Sequence, residues 1–105
     1  MIGFKVIKID HIALASNNAQ KVNEFLMNIL SIKKYRQEKV DSELVKTSFF
    51  KVGEVNIETL EPLTDESAIS SYLEKNGPGI HHIAFLADNI IAAIDYFKNN
   101  NIRVI

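Results

Sequence analysis

The chain contains no cysteine, which excludes a disulfide frame and thiolate chemistry. Any metal site would have to be built from histidine and carboxylates. No unbroken apolar span is long enough for a bilayer, and Met1 leads straight into an alternating, strand-like run instead of an apolar signal core. A reduced, cytoplasmic setting is therefore expected. Net charge is nearly absent too: 12 Lys and Arg against 13 Asp and Glu leave -1. With its lysines scattered and not striped, the chain gives no electrostatic reason to expect nucleic acid or a membrane surface as partner. At 105 residues, one ordinary domain is expected.

What the chain does have is an internal echo. Ile9-Asp10-His11-Ile12-Ala13-Leu14 is answered by Ile80-His81-His82-Ile83-Ala84-Phe85, a shift of 82 − 11 = 71 residues. The same shift pairs Asn18 with Asn89, Glu24-Phe25-Leu26 with Asp95-Tyr96-Phe97, and Asn28 with Asn99, without a gap. A repeated supersecondary unit accounts for this most simply.

In chain order, Phe4 to Ala15 reads as a strand covered on both faces, with His11 sharing the face of Ile7, Ile9 and Ala13. A histidine there is either buried or lines a site. Ser16-Asn17-Asn18 supplies cap chemistry for a helix from about Ala19 to Leu30, whose apolar residues fall at three- and four-residue steps. Ile32 to Glu38 reads as a short basic strand, Lys39 to Ser42 as a polar turn, and Leu44 to Val52 as the next strand. Gly53-Glu54 joins it in a hairpin to Val55–Glu61, which places Asn56, Glu58 and Leu60 on one face and ends at Pro62. Glu61 alternates away and reads as a solvated strand end. A short helix follows Leu63 to Ser67, capped by Thr64 or Asp65, and stops at Asn76-Gly77-Pro78-Gly79, a stretch most simply read as a loop. Ile80 to Ala87 repeats the first strand, Asp88-Asn89 the cap, and Ile90 to Phe97 the amphipathic helix. Ile102 to Ile105 opens a further strand. The expected fold is thus α+β: a βαβββ unit over about 4–61, a connecting helix over about 64–76, and an incomplete second unit over about 80–105. The counterpart of Glu58 would stand at 58 + 71 = 129, outside the sequence. An unpaired sheet edge follows, and with it a homodimer is expected.

The repeat, the run Ile57-Glu58-Thr59-Leu60-Glu61-Pro62, and Asp65 to Ile69 with Tyr72 to Gly77 together resemble the methylmalonyl-CoA epimerase family. That family lies within the vicinal oxygen chelate superfamily, with glyoxalases, bleomycin-resistance proteins and extradiol dioxygenases. The resemblance implies paired βαβββ modules forming a curved sheet around a divalent metal, cobalt, manganese, nickel, iron or zinc. It also implies a metal-dependent epimerase of a branched acyl-CoA such as methylmalonyl-CoA. Carried over residue by residue, the metal ligands are His11, Glu58 and His82, with Glu58 also the candidate catalytic carboxylate. The family's fourth ligand, a Glu of the last strand, has no match here. Thr47 falls where some epimerases place a second catalytic Glu, with only Glu43 and Lys46 nearby.

The chemistry agrees with these residue types. Removing the proton between a thioester and a carboxylate needs a positive centre on the enolate oxygens and a base beside the carbon. A lone strand histidine is usually satisfied by its neighbours. Two at equivalent points of a repeat, with a mid-strand Glu, point instead to a metal. His81 is expected on the opposite face, structural or behind a ligand. Phe49, Phe50, Tyr96 and Phe97 read as core or interface. The alternatives are lactoylglutathione lyase or a related glyoxalase, and a truncated, non-catalytic dimeric binding module.

Overall fold

The computed structural model describes residues 2–105. Its backbone is a mixed five-stranded sheet, β1 (Val6–Ala15), β2 (Lys34–Val40), β3 (Val45–Val52), β4 (Val55–Pro62) and β5 (Gly79–Ala87), with α1 (Ala19–Glu24), α2 (Ala68–Asn76) and α3 (Ile90–Asn99). The strand order is β2-β3-β4-β1-β5. β1 runs parallel to β4 and antiparallel to β5, and the other pairs are antiparallel. The α+β expectation is met, a βαβββ unit being followed by a helix, one more strand and a further helix.

Local chemistry explains most boundaries. Gly53 takes φ +61° in the two-residue turn that closes Val52 onto Val55, a conformation that glycine enters without steric cost. Asn18 and Asn89, equivalent in the repeat, both cap: their side-chain oxygens accept from the N–H groups of Lys21 and Ala92. The first helix differs from the expected regular helix to Leu30. After Glu24 it widens into a π-helical turn over Phe25–Ile29, where Leu30 N–H reaches back to Phe25 O at 3.1 Å, and Ser31 at φ +56° ends it. Leu44 is not in a strand: the turn over 41–44 holds it at φ +54°, and β3 starts one residue later. The α2 cap is Ser67, whose hydroxyl accepts from Ile69 N–H, and not Thr64 or Asp65. Thr64 instead closes the preceding turn, accepting from Glu66 N–H. The expected strand at Ile102 to Ile105 does not form, since these residues have no ladder partner among the described residues.

The two faces of the sheet are built differently. On one, Ala13 and Ala15 of β1, Val45 of β3 and Leu60 of β4 pack with Ile69 and Leu73 of α2. On the other lies a buried polar network: Asn23 of α1 donates to Ser48 Oγ at 3.1 Å and accepts from Thr59 Oγ1 at 2.7 Å. Glu61, expected to be a solvated strand end, is also recruited. It accepts from Ala19 N–H at 3.0 Å at the start of α1 and pairs with Lys46 at 3.8 Å, because a carboxylate is favoured among the free N–H groups of a helix N-terminus.

Removing one partner from a buried network strands the others. Asn23→Ala is expected to cost about 2 kcal/mol, read in a thermal melt as a fall of roughly 10 °C. Gln20→Ala on the exposed side of α1 should melt within roughly 2 °C of the parent, and equal melting of both variants would show that the network contributes nothing.

Candidate functional site

The geometry of the candidate site follows from one register. Ile12 of β1 pairs with Ile83 of β5, its own repeat equivalent since 12 + 71 = 83. Around that pair the ladder is symmetric: His11 faces Ala84, Ala13 faces His82, Ile9 faces Phe85 and Leu14 faces Ile80. A local two-fold axis therefore passes between Ile12 and Ile83. It sets His11 and His82 on either side of itself with Nε2 atoms 3.1 Å apart and ring centroids 5.2 Å apart. On the other side of β1, Ala13 pairs with Glu58, and paired residues project to the same face. Ala13, fully buried, thus has Glu58 on one flank and His82 on the other, and its methyl group leaves room between them.

Glu58 Oε2 lies 3.4 Å from His11 Nδ1, and Asp10 Oδ2 lies closer to the same atom, at 2.8 Å. The structure therefore brings His11, Glu58 and His82 together. Among the described residues, however, no three histidine or carboxylate side chains form a ready group for a metal ion. Orientation is the reason: the two Nε2 atoms face one another, whereas the Glu58 carboxylate stands against the other nitrogen of the His11 ring.

His81 is not on the opposite face as expected. The β1–β5 register skips it between Ile80 and His82. This bulge breaks the alternation, bringing its Nδ1 to 2.8 Å from His82 Nδ1 and its ring to 4.7 Å from that of Tyr72. The register skips Asp10 in the same way. Period-two reasoning missed both, although the repeat itself matched position 10 to position 81.

Of the positions considered for a second base, Thr47 is buried and opposite Leu60, Lys46 pairs with Glu61, and Glu43 lies in the turn before β3. None of the three joins the histidines. Arg36, which sequence reasoning passed over, stacks its guanidinium 4.1 Å over the ring of Phe49, the register partner of Glu58, and so places a fixed positive charge on this face. Nothing in the sequence marks Arg36 among the other basic residues of its strand.

Ionisation separates the two carboxylates. Burial pushes Glu58 above its ordinary value, opposed by the charge of His11. The hydrogen bond from His11 pulls Asp10 below its ordinary value. Partial desolvation, helped by the neighbouring imidazoles, lowers His82 and favours its neutral ring.

The Glyoxalase/Bleomycin resistance protein/Dioxygenase superfamily model matches residues 10–105. The chain belongs to that superfamily. It is 34% identical over 98 residues to YqjC of Bacillus subtilis, covering 93% of this chain and 70% of that protein. It is 33% identical over 97 residues to human mitochondrial methylmalonyl-CoA epimerase, covering 91% of this chain but only 55% of the epimerase. The solved structure of Streptomyces coelicolor methylmalonyl-CoA epimerase, a single-residue variant in complex with 2-nitronate-propionyl-CoA, superposes with a TM-score of 0.86 at 27% identity. That match covers 96% of this chain and 76% of that one. Homology to methylmalonyl-CoA epimerases within the superfamily is thereby shown.

The raised Glu58 value has a definite sign in the ion-free protein. The folded state holds the Glu58 proton more tightly than the unfolded state, so this carboxyl favours folding at acid pH, and that contribution is lost as pH rises through the raised value. Asp10 has the opposite sign: its contribution is present above its ordinary value and lost as pH falls through the lowered one. Glu58→Gln is therefore expected to be more stable than the parent near neutrality, the gap closing toward about pH 4. Urea unfolding across that range checks this, and a gap that widens toward acid would contradict it.

Proposed function

We propose that the chain is a metal-dependent epimerase of a branched acyl-CoA thioester of the methylmalonyl-CoA kind. It would act by removing and returning the acidic proton between thioester and carboxylate. The observation that most supports this reading is the meeting of the His11 and His82 Nε2 atoms at 3.1 Å, with Glu58 alongside. Imidazole nitrogens bind metals at roughly 2.0–2.1 Å, so two neighbouring ligands at a near-right angle stand about 3 Å apart. The pair fits a divalent cation, and the chemistry of Glu58 suits a third donor. The human and Streptomyces relatives, both methylmalonyl-CoA epimerases, supply the substrate class.

When bound, a divalent cation supplies positive charge for the enolate oxygens. His11, His82 and Glu58 would hold it. Glu58 is also the carboxylate proposed to exchange the proton; its burial-raised value belongs to the protein without a cation, whose charge would lower it. Arg36 over Phe49 adds charge that favours an anionic acyl group. Asp10, held low by His11, is a poor base and serves as an acceptor. Homodimerisation through the free edge of β5, an edge strand, and a cytoplasmic setting belong to the same proposal.

The test is metal content after purification, together with deuterium uptake into methylmalonyl-CoA in heavy water. The parent is expected to retain a divalent ion and catalyse exchange. His82→Ala and Glu58→Ala should each lower retained metal by roughly tenfold or more and exchange by at least about 100-fold. Unchanged metal in both variants refutes the site. Turnover of the glutathione–methylglyoxal adduct in place of the CoA ester would reassign the chain to the glyoxalases. Metal-free, inactive parent protein would favour a binding module.

A further inference from the structure

Asp10 and His81 are repeat equivalents, since 10 + 71 = 81. Each is the residue skipped by the β1–β5 register, between Ile9 and His11 on one strand and between Ile80 and His82 on the other. A bulge re-aims a side chain that regular alternation would send through the sheet, and both are used alike. Asp10 Oδ2 lies 2.8 Å from His11 Nδ1, and His81 Nδ1 lies 2.8 Å from His82 Nδ1. We propose that Asp10 and His81 are a matched pair of positioning residues, each holding the Nδ1 of the histidine that follows it so that both Nε2 lone pairs aim at one divalent cation. This rests on the metal reading above.

The difference between the pair members has a reason. A neutral imidazole carries a single N–H, so each contact in the cluster must join one donor to one acceptor. The ionised Asp10 carboxylate can only accept, so His11 donates from Nδ1 and its Nε2 accepts. His82 must then donate from Nε2 across the 3.1 Å contact, leaving its Nδ1 to accept from His81 Nδ1–H. The ion-free site is thus one unbroken chain running His81 to His82 to His11 to Asp10. Cation binding needs a bare Nε2 on His82, so the His82 proton must move to Nδ1 and His81 must turn from donor to acceptor. A carboxylate at position 81 could accept but never donate, whereas an imidazole does both. Tyr72 steadies the bulge, its hydroxyl donating to Ile80 O at 2.8 Å and its ring meeting His81 edge-on.

The experiment combines zinc titration calorimetry with long-range nitrogen NMR of ¹⁵N-histidine protein. It uses the parent, Asp10→Ala, Asp10→Asn, His81→Ala, His81→Asn and His82→Ala. The alanine variants at 10 and 81 are expected to bind zinc roughly 10- to 100-fold more weakly. The asparagine variants, whose amide can still accept, should recover most of that loss. In the parent, His82 should carry its proton on Nε2 without zinc and on Nδ1 with zinc, while His11 stays protonated on Nδ1. Parent protein that binds zinc, loses it in His82→Ala and keeps full affinity in Asp10→Ala and His81→Ala would overturn this inference alone. So would a His82 tautomer that does not change on loading. Parent protein that takes up no zinc would overturn the metal reading and this inference with it.

Discussion

The pairing of Ile12 with Ile83 is the constraint on which the rest of the site depends. Two strands of a repeat that meet antiparallel, each opposite its own equivalent, generate a local two-fold axis without any further instruction. Whatever one strand places beside the axis, the other places on the far side, facing the same way. A histidine one residue before the axial position in each copy is therefore enough to bring two imidazoles together. β4 adds the third group because it pairs in parallel with β1 and sets Glu58 against Ala13. A slip of one residue in either ladder would send its side chain to the opposite face.

Much of this was legible in the sequence because the relevant signals are short-range or repeated. The asparagine caps, the Gly53 turn and the alternating strands each rest on the local preferences of a few residues. The shift of 71 linked His11 to His82 directly. What was not legible depends on pairing. A bulge is a property of two strands in register, so the alternation that placed His81 on the far face was sound within its strand and failed only where β1 and β5 fall out of step. Asp10, to which the sequence reading gave no face, is turned by the matching bulge. Glu61 looked solvated because its partner, the N-terminus of α1, lies 61 − 19 = 42 residues away in sequence. Leu44 carries no turn signal at all; its left-handed conformation comes from closing β2 onto β3.

The fold also shows where it is unsupported. Among the described residues β5 has a ladder partner only in β1, and Ile80, Ile83, Phe85, Ile90 and Ile91 are exposed, whereas the equivalent face of the first unit is covered by its own strands and α1. The chain spans 55% of the human epimerase and 70% of YqjC. The symmetry that completes the histidine pair thus leaves β5 without the parallel neighbour that β1 has in β4.

Electrostatics then assigns different work to the two carboxylates around His11. Asp10 faces solvent and accepts from His11, Oδ2 lying 2.8 Å from Nδ1, so its charge is stabilised and its affinity for protons falls. Glu58 stands farther from the same atom and deeper in the sheet, where desolvation outweighs the attraction of the ring. Two acids beside one base whose proton affinities are driven apart can divide structural and chemical roles. The low one stays ionised and fixes the ring. The high one holds its proton to a higher pH, on the same face of the sheet as His11 and His82.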